Sequence, residues 1–179
     1  MQYRTPLVAF LLLIMFVVSP VITIPETSHS QLQRPSTRSV SLEFNGTSAF
    51  AYLEAQCAFG PRPPGSENLT QCGDYIISIL EAQGWPVQQQ NWTYEGTPLR
   101  NIIAGAAASP RLVLLAHYDT RPRADHDPDP LNQSLPILGA NDGASGTAAL
   151  LELAAALPDT AKNTVVLLFV DAEDSGGIN

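Results

Sequence analysis

The sequence predicts an α/β fold built on an open sheet that is parallel at its centre, and three stretches predict it. Leu112-Val113-Leu114-Leu115-Ala116 and Val165 to Val170 (VVLLFV) are short runs, apolar throughout. Strands buried on both faces read this way. Between them Thr147 to Leu157 (TAALLELAAAL) is rich in Ala and Leu and strongly helix-forming. Strand, helix and strand in that order make a βαβ unit. Sheets of this kind bind ligands just beyond the carboxyl ends of their strands.

The preceding elements follow from punctuation and periodicity. A first helix is expected from Ser48 to Ala58, stopped by Gly60-Pro61 and the rigid Pro63-Pro64-Gly65 turn. Ser66 suits an N-cap, and Ile76, Ile77 and Leu80 give the three-to-four spacing of an amphipathic helix that ends at Gly84. Val87 to Tyr94 is polar with its apolar residues spaced out, as in an edge strand with one wet face. Leu99 to Ala104, with Ile102-Ile103, is a second strand. No internal repeat is visible.

Composition sets the outer limits. The chain has 179 residues, 9 basic against 17 acidic, with net charge −8 and pI near 4.6. At 45% apolar and 15% charged it is of ordinary globular composition, which excludes disorder throughout. Its single lysine, Lys162, argues against nucleic-acid binding. The mean hydropathy of +0.03 owes much to one terminal stretch. Arg4 followed by the apolar run Leu7 to Val18 and then Ser19-Pro20 makes residues 1–24 a signal peptide or an uncleaved membrane anchor. Residues 25–44, rich in Ser, Thr, Gln and Pro, are expected to be a flexible tether. The folded domain would occupy residues 45–179, in an exported protein that is secreted, periplasmic or membrane-anchored. Cys57 and Cys72 allow at most one disulfide, and sequence alone does not pair them.

The chemistry gathers at one rim. His117-Tyr118-Asp119 follows the first core strand and Asp171-Ala172-Glu173-Asp174 follows the second. Gly139-Ala140-Asn141-Asp142-Gly143-Ala144-Ser145-Gly146 immediately precedes the crossover helix. Up to five carboxylates with one imidazole would thus lie close together, and their repulsion calls for a cation. Zinc suits imidazole nitrogen and carboxylate oxygen. Each residue has a plainer reading: His117 as the cap of a strand, Asp142 as a helix N-cap, Glu173 and Asp174 as a solvated loop. Their coincidence at the one edge where this fold class puts its site favours the metal.

His117-x-Asp119, the NDGASG segment with Asp142, and Glu173-Asp174 after an apolar strand resemble the zinc aminopeptidase and glutaminyl cyclase family of the MH peptidase clan. Phe59-Gly60-Pro61-Arg62-Pro63-Pro64-Gly65-Ser66 and Arg100-Asn101-Ile102-Ile103-Ala104 are similar to that family too. HYDTRP (117–122), DPDP (127–130) and PILGANDGASG (136–146) look closest to its bacterial glutaminyl cyclase-like members. The resemblance implies a three-layer α/β/α fold with a mixed, centrally parallel sheet, zinc exopeptidase-like and incomplete at its C-terminus. It implies Asp142 and Asp174 as zinc ligands and Glu173 as general acid/base. His117 would bind a second zinc in a two-metal member and stand beside the site in a one-metal cyclase. Asp119 would orient His117 and so serve catalysis. Asp125, Asp127 and Asp129 are read as loop residues.

The implied activity is formation of N-terminal pyroglutamate with release of ammonia, using one zinc. The alternative is a two-zinc aminopeptidase, and a second alternative is a non-enzymatic exported binding domain. Peptide or protein N-termini would be the substrates. Family members carry further ligands well downstream of the Glu-Asp pair, so this chain is expected to be the front part of a larger domain and inactive alone.

Overall fold

A computed structural model describes residues 43–106 and 108–175. The leader at 1–24 and the tether up to residue 42 lie outside the described residues. Helix α1 spans Gly46–Ala58, and Asn45 begins it by accepting bonds from the Thr47 and Ser48 amides. Helix α2 spans Glu67–Ala82, and Ser66 caps it through the Leu69 amide. Both caps satisfy amide donors that a helix start leaves free. Gly84, at φ 75°, turns the chain out of α2. Strands β1 (Val87–Tyr94) and β2 (Thr97–Ala104) then form an antiparallel hairpin. Strand β3 (Leu112–His117), helix α3 (Ser145–Ala156) and strand β4 (Val165–Val170) complete the βαβ unit.

The four strands lie in the order β1-β2-β4-β3. β3 and β4 pair in parallel from Leu112 opposite Val165 to His117 opposite Val170. β2 runs antiparallel to β4, with Ile102 opposite Phe169. The sheet is therefore mixed, and its parallel pair ends at the polar segments singled out by sequence.

The alternation of β4 decides where the core lies. Val165, Leu167 and Phe169 are buried, together with Ile102 and Ala104 of β2, against Ile76 and Leu80 of α2 and Leu150, Leu151 and Ala154 of α3. Tyr52 and Phe59 bring α1 and the residue after it to the same cluster. On the other face Val113 and Leu115 are 49% and 58% exposed. Among the described residues the helices thus cover one face, where continuous apolar runs had predicted burial on both. Glu152, buried in α3, accepts the Asn45 amide at 2.9 Å and ties the start of α1 to the crossover helix. Cys57 and Cys72 are separate thiols, and burial pushes that of Cys72 up to about 12. Among the described residues no helix is long and apolar enough to cross a membrane.

Candidate functional site

The site begins where β3 stops. The strand ends at His117, and the extended course of the chain sends Tyr118 to the opposite side. Tyr118 is buried in the core and donates its hydroxyl to the Arg100 carbonyl at 2.7 Å. Asp119 follows with no exposed surface. Its Oδ1 accepts the Glu173 amide at 3.2 Å and its Oδ2 the Asp174 amide at 3.1 Å. The same Oδ1 lies 3.4 Å from His117 Nδ1. One carboxylate thus addresses both the imidazole and the acidic pair.

The loop before α3 brings Asp142 to the other side of the imidazole. Gly143 sits at φ 92°, and a Cβ there would fall 2.7 Å from the Asp119 carbonyl oxygen and 3.2 Å from His117 Cε1. Only glycine allows that approach. Asp142 is extended, at φ −94° and ψ 112°, and its Oδ1 meets His117 Nε2 at 2.9 Å. It does not cap the helix: the residue at the N-cap of α3 is Ala144, which has no side-chain cap bond. The helix-cap reading of Asp142 is thus not met, and its carboxylate meets His117 instead.

Glu173 and Asp174 open a single 3₁₀ turn, Glu173–Ser175. Ala172 enters it at φ 62°, a left-handed conformation that costs a residue with a Cβ about 1 kcal/mol. Glu173 Oε2 stands 3.8 Å from His117 Nε2, with its side chain 59% exposed. Asp174 is turned inward. Its Oδ1 lies 3.4 Å from Arg121 Nη1, while its buried Oδ2 has no hydrogen-bond partner. Asp171 departs from the cluster. Its Oδ2 accepts the Arg100 amide at 2.9 Å and its own amide donates to Asn101 Oδ1 at 3.0 Å, fastening the end of β4 to β2. Burial pushes its carboxyl up to about 6.

Electrostatics follow from these contacts. The Asp119 carboxylate beside His117 is the main reason the imidazole is pushed up to about 9; burial opposes this, and Glu173 and Asp142 add to it. Arg121 pairs with both oxygens of Asp125, at 2.6 and 2.8 Å. That contact holds Asp125 down at about 2. Asp127 and Asp129 serve the loop itself, accepting the Asp129 and Leu131 amides two residues on.

Asp119, Asp142 and Glu173 therefore each reach His117, and the Asp174 amide is joined to the group through Asp119. Sequence reasoning missed Arg121, which touches Asp174, and gave no role to Arg62, which is wholly buried behind the rim. The only sign of either was its place in a quoted segment, HYDTRP or FGPRPPGS.

Imidazole nitrogen and carboxylate oxygen are zinc donors, and the unpartnered Asp174 Oδ2 is a donor to spare. Among the described residues no three His, Cys, Asp or Glu side chains stand arranged to hold a metal ion, and His117 and Asp142 bond to each other directly.

Fold and rim together give an α/β chain similar to Zn-dependent exopeptidases and glutaminyl cyclases. Residues 101–178 match the model of Peptidase family M28. A Zn-dependent exopeptidase from Parabacteroides distasonis superposes with a TM-score of 0.70 at 44% identity, over 77% of this chain and 50% of its own. Tannerella forsythia glutaminyl cyclase does so with a TM-score of 0.68 at 42% identity, over 74% and 48%. The mouse glutaminyl-peptide cyclotransferase-like protein is 32% identical over 131 residues, 64% of this chain and 32% of its own length. The chain thus spans about half the length of these solved structures and a third of the mouse protein.

Proposed function

We propose that the chain belongs to a zinc-dependent enzyme acting on peptide N-termini, and that its reaction is cyclisation of N-terminal glutamine to pyroglutamate. The observation that carries this reading is the convergence of Asp142 Oδ1 and Glu173 Oε2 on one imidazole nitrogen, at 2.9 and 3.8 Å. Likeness to glutaminyl cyclases at 42% identity supports the finer choice.

Asp142 and Asp174 would hold the metal, with His117 available beside them. A zinc ion bound there supplies Lewis acidity toward the side-chain amide carbonyl of the substrate. The chain's own part is proton transfer and positioning. Glu173 Oε2 takes a proton from the α-amine as that nitrogen closes on the δ-carbon. The same carboxyl returns the proton to the amide nitrogen, which leaves as ammonia. Asp119 holds the Glu173 and Asp174 amides, so the backbone under the shuttle stays fixed while its exposed carboxylate moves.

A second reading, hydrolysis of the N-terminal residue, is favoured by the position of His117, a third donor within reach of Asp142, and by likeness to the Zn-dependent exopeptidase. There Glu173 would deprotonate a water molecule, and the α-amine would be recognised and not attack. The full-length protein offered Gln-Ala and Leu-Ala decides between them. Ammonia from Gln-Ala with Leu-Ala left intact is the expected result. Free leucine without ammonia would overturn the cyclase reading.

A further inference from the structure

Among the described residues Arg62 is the one basic residue in the set of largest completely buried side chains, and its surroundings are unusual. It has no exposed surface, and among the described residues it forms no ion pair with any carboxylate. Its guanidinium is met by carbonyl oxygens alone. Nη1 donates to Gln56 at 3.1 Å, Gly60 at 3.0 Å and Leu138 at 3.2 Å. Nη2 donates to Gly139 at 3.3 Å, and Nε to Tyr118 at 3.2 Å. Its backbone joins the same neighbourhood, since the Arg62 amide donates to Thr120 Oγ1 at 2.8 Å and its carbonyl accepts the Thr120 amide at 3.0 Å.

These targets bracket the candidate site in sequence. Tyr118 lies between His117 and Asp119. Leu138 and Gly139 open the loop that carries Asp142, and Gly139 is itself left-handed at φ 62°. The far end of that loop is gripped from the same side: Gln56, also without exposed surface, donates from Nε2 to the Ala144 carbonyl at 3.1 Å. A lone charge would need a counter-charge. A planar fork meeting five carbonyls from three segments acts as a spacer, because its donor directions are rigid.

We propose that Arg62, with Gln56, is a positioning residue for the metal site: it sets the 138–144 loop at a fixed distance from the His117–Asp119 segment and so places Asp142 against His117. This rests on the zinc reading given above. Arg62 touches no reacting group, and its effect runs through the loop. A second-layer brace of this kind changes metal affinity by about 10–100-fold when it is lost.

The test uses amide hydrogen exchange on the metal-free protein and zinc affinity by competition with a chromophoric chelator. Arg62→Lys keeps the charge but cannot reach all five carbonyls. It is expected to speed exchange in residues 139–144 by about tenfold beyond any change in the β1–β2 hairpin, and to weaken zinc binding by about tenfold. Leu80→Ala, a core change in α2, is the control for general destabilisation; it should raise exchange evenly and leave zinc affinity alone. Gln56→Met frees only the Ala144 carbonyl and is the milder probe, with the same local signature at smaller size. Even loss of protection in Arg62→Lys, matching Leu80→Ala, would overturn the proposal. So would failure of Arg62→Lys to fold together with an unchanged 139–144 loop in Gln56→Met. If the unaltered protein takes up no zinc, the metal reading fails, and the exchange pattern alone decides whether Arg62 sets the loop.

Discussion

Two arginines serve the same rim by opposite means. Arg62 stands behind it, fully buried, and spends its donors on backbone carbonyls. Arg121 stands in front, in the wet loop, and pairs with the carboxylates of Asp125 and Asp174. A buried cation has no water to fall back on, so each partner it loses is a desolvated group left unmet. An arginine at the surface recovers most of what it loses from solvent and salt. The buried side of the rim should therefore govern whether the site exists, and the wet side how its charges are arranged.

The sharpest way to break this comparison is Arg62→Met, which keeps apolar bulk and removes the fork. A loss of about 3–5 kcal/mol in urea unfolding is expected, from several buried carbonyls left without donors. A loss below about 1 kcal/mol would place Arg62 with Arg121. The next effect concerns Asp171. Its carboxyl is raised by burial to about 6 from the ordinary 3.8, so between those values the folded chain keeps a proton that the unfolded chain has released. Stability should fall as pH rises through that window, by about 1–2 kcal/mol once screening is allowed for. Urea unfolding at pH 4 and pH 7 checks this, and Asp171→Asn should flatten the slope.

A smaller effect tests strain at the same junction. Ala172→Gly removes a Cβ from a left-handed residue and is expected to add up to about 1 kcal/mol of stability, partly offset by the freer unfolded chain. Thermal melts of the two forms measure it. The smallest effect belongs to the wet side. Arg121→Ala should leave the melting temperature unchanged while the Asp125 carboxyl returns toward its ordinary value from about 2, seen by NMR titration. A large drop in melting temperature would remove the distinction between the two arginines.

The contrast also explains what could be read from sequence. The βαβ unit was legible because Leu112 to Ala116, Thr147 to Leu157 and Val165 to Val170 carry their pattern locally, and strand polarity then names the rim. His117, Asp142 and Glu173 were found through that rule, and they do meet. Asp171 was grouped with them because it is a neighbour in sequence. Its departure toward β2 depends on the antiparallel pairing of β2 with β4, which no local pattern reveals. Arg62 was opaque for a related reason: its targets lie 6 to 77 residues away in the chain or only 2, and carbonyls have no side-chain signature. The half-open sheet face was missed because an apolar run says that a strand suits burial, not what lies over it.

The double bond set of Asp119 has a further consequence. Because one carboxylate receives both the Glu173 and Asp174 amides while facing His117, these parts do not loosen one at a time. Withdrawal of Asp119 would release both amides of the acidic turn at once and leave the imidazole facing Asp142 and Glu173 alone. The acidic turn and the imidazole therefore share one anchor, and damage at Asp119 should be felt at Glu173, Asp174 and His117 together.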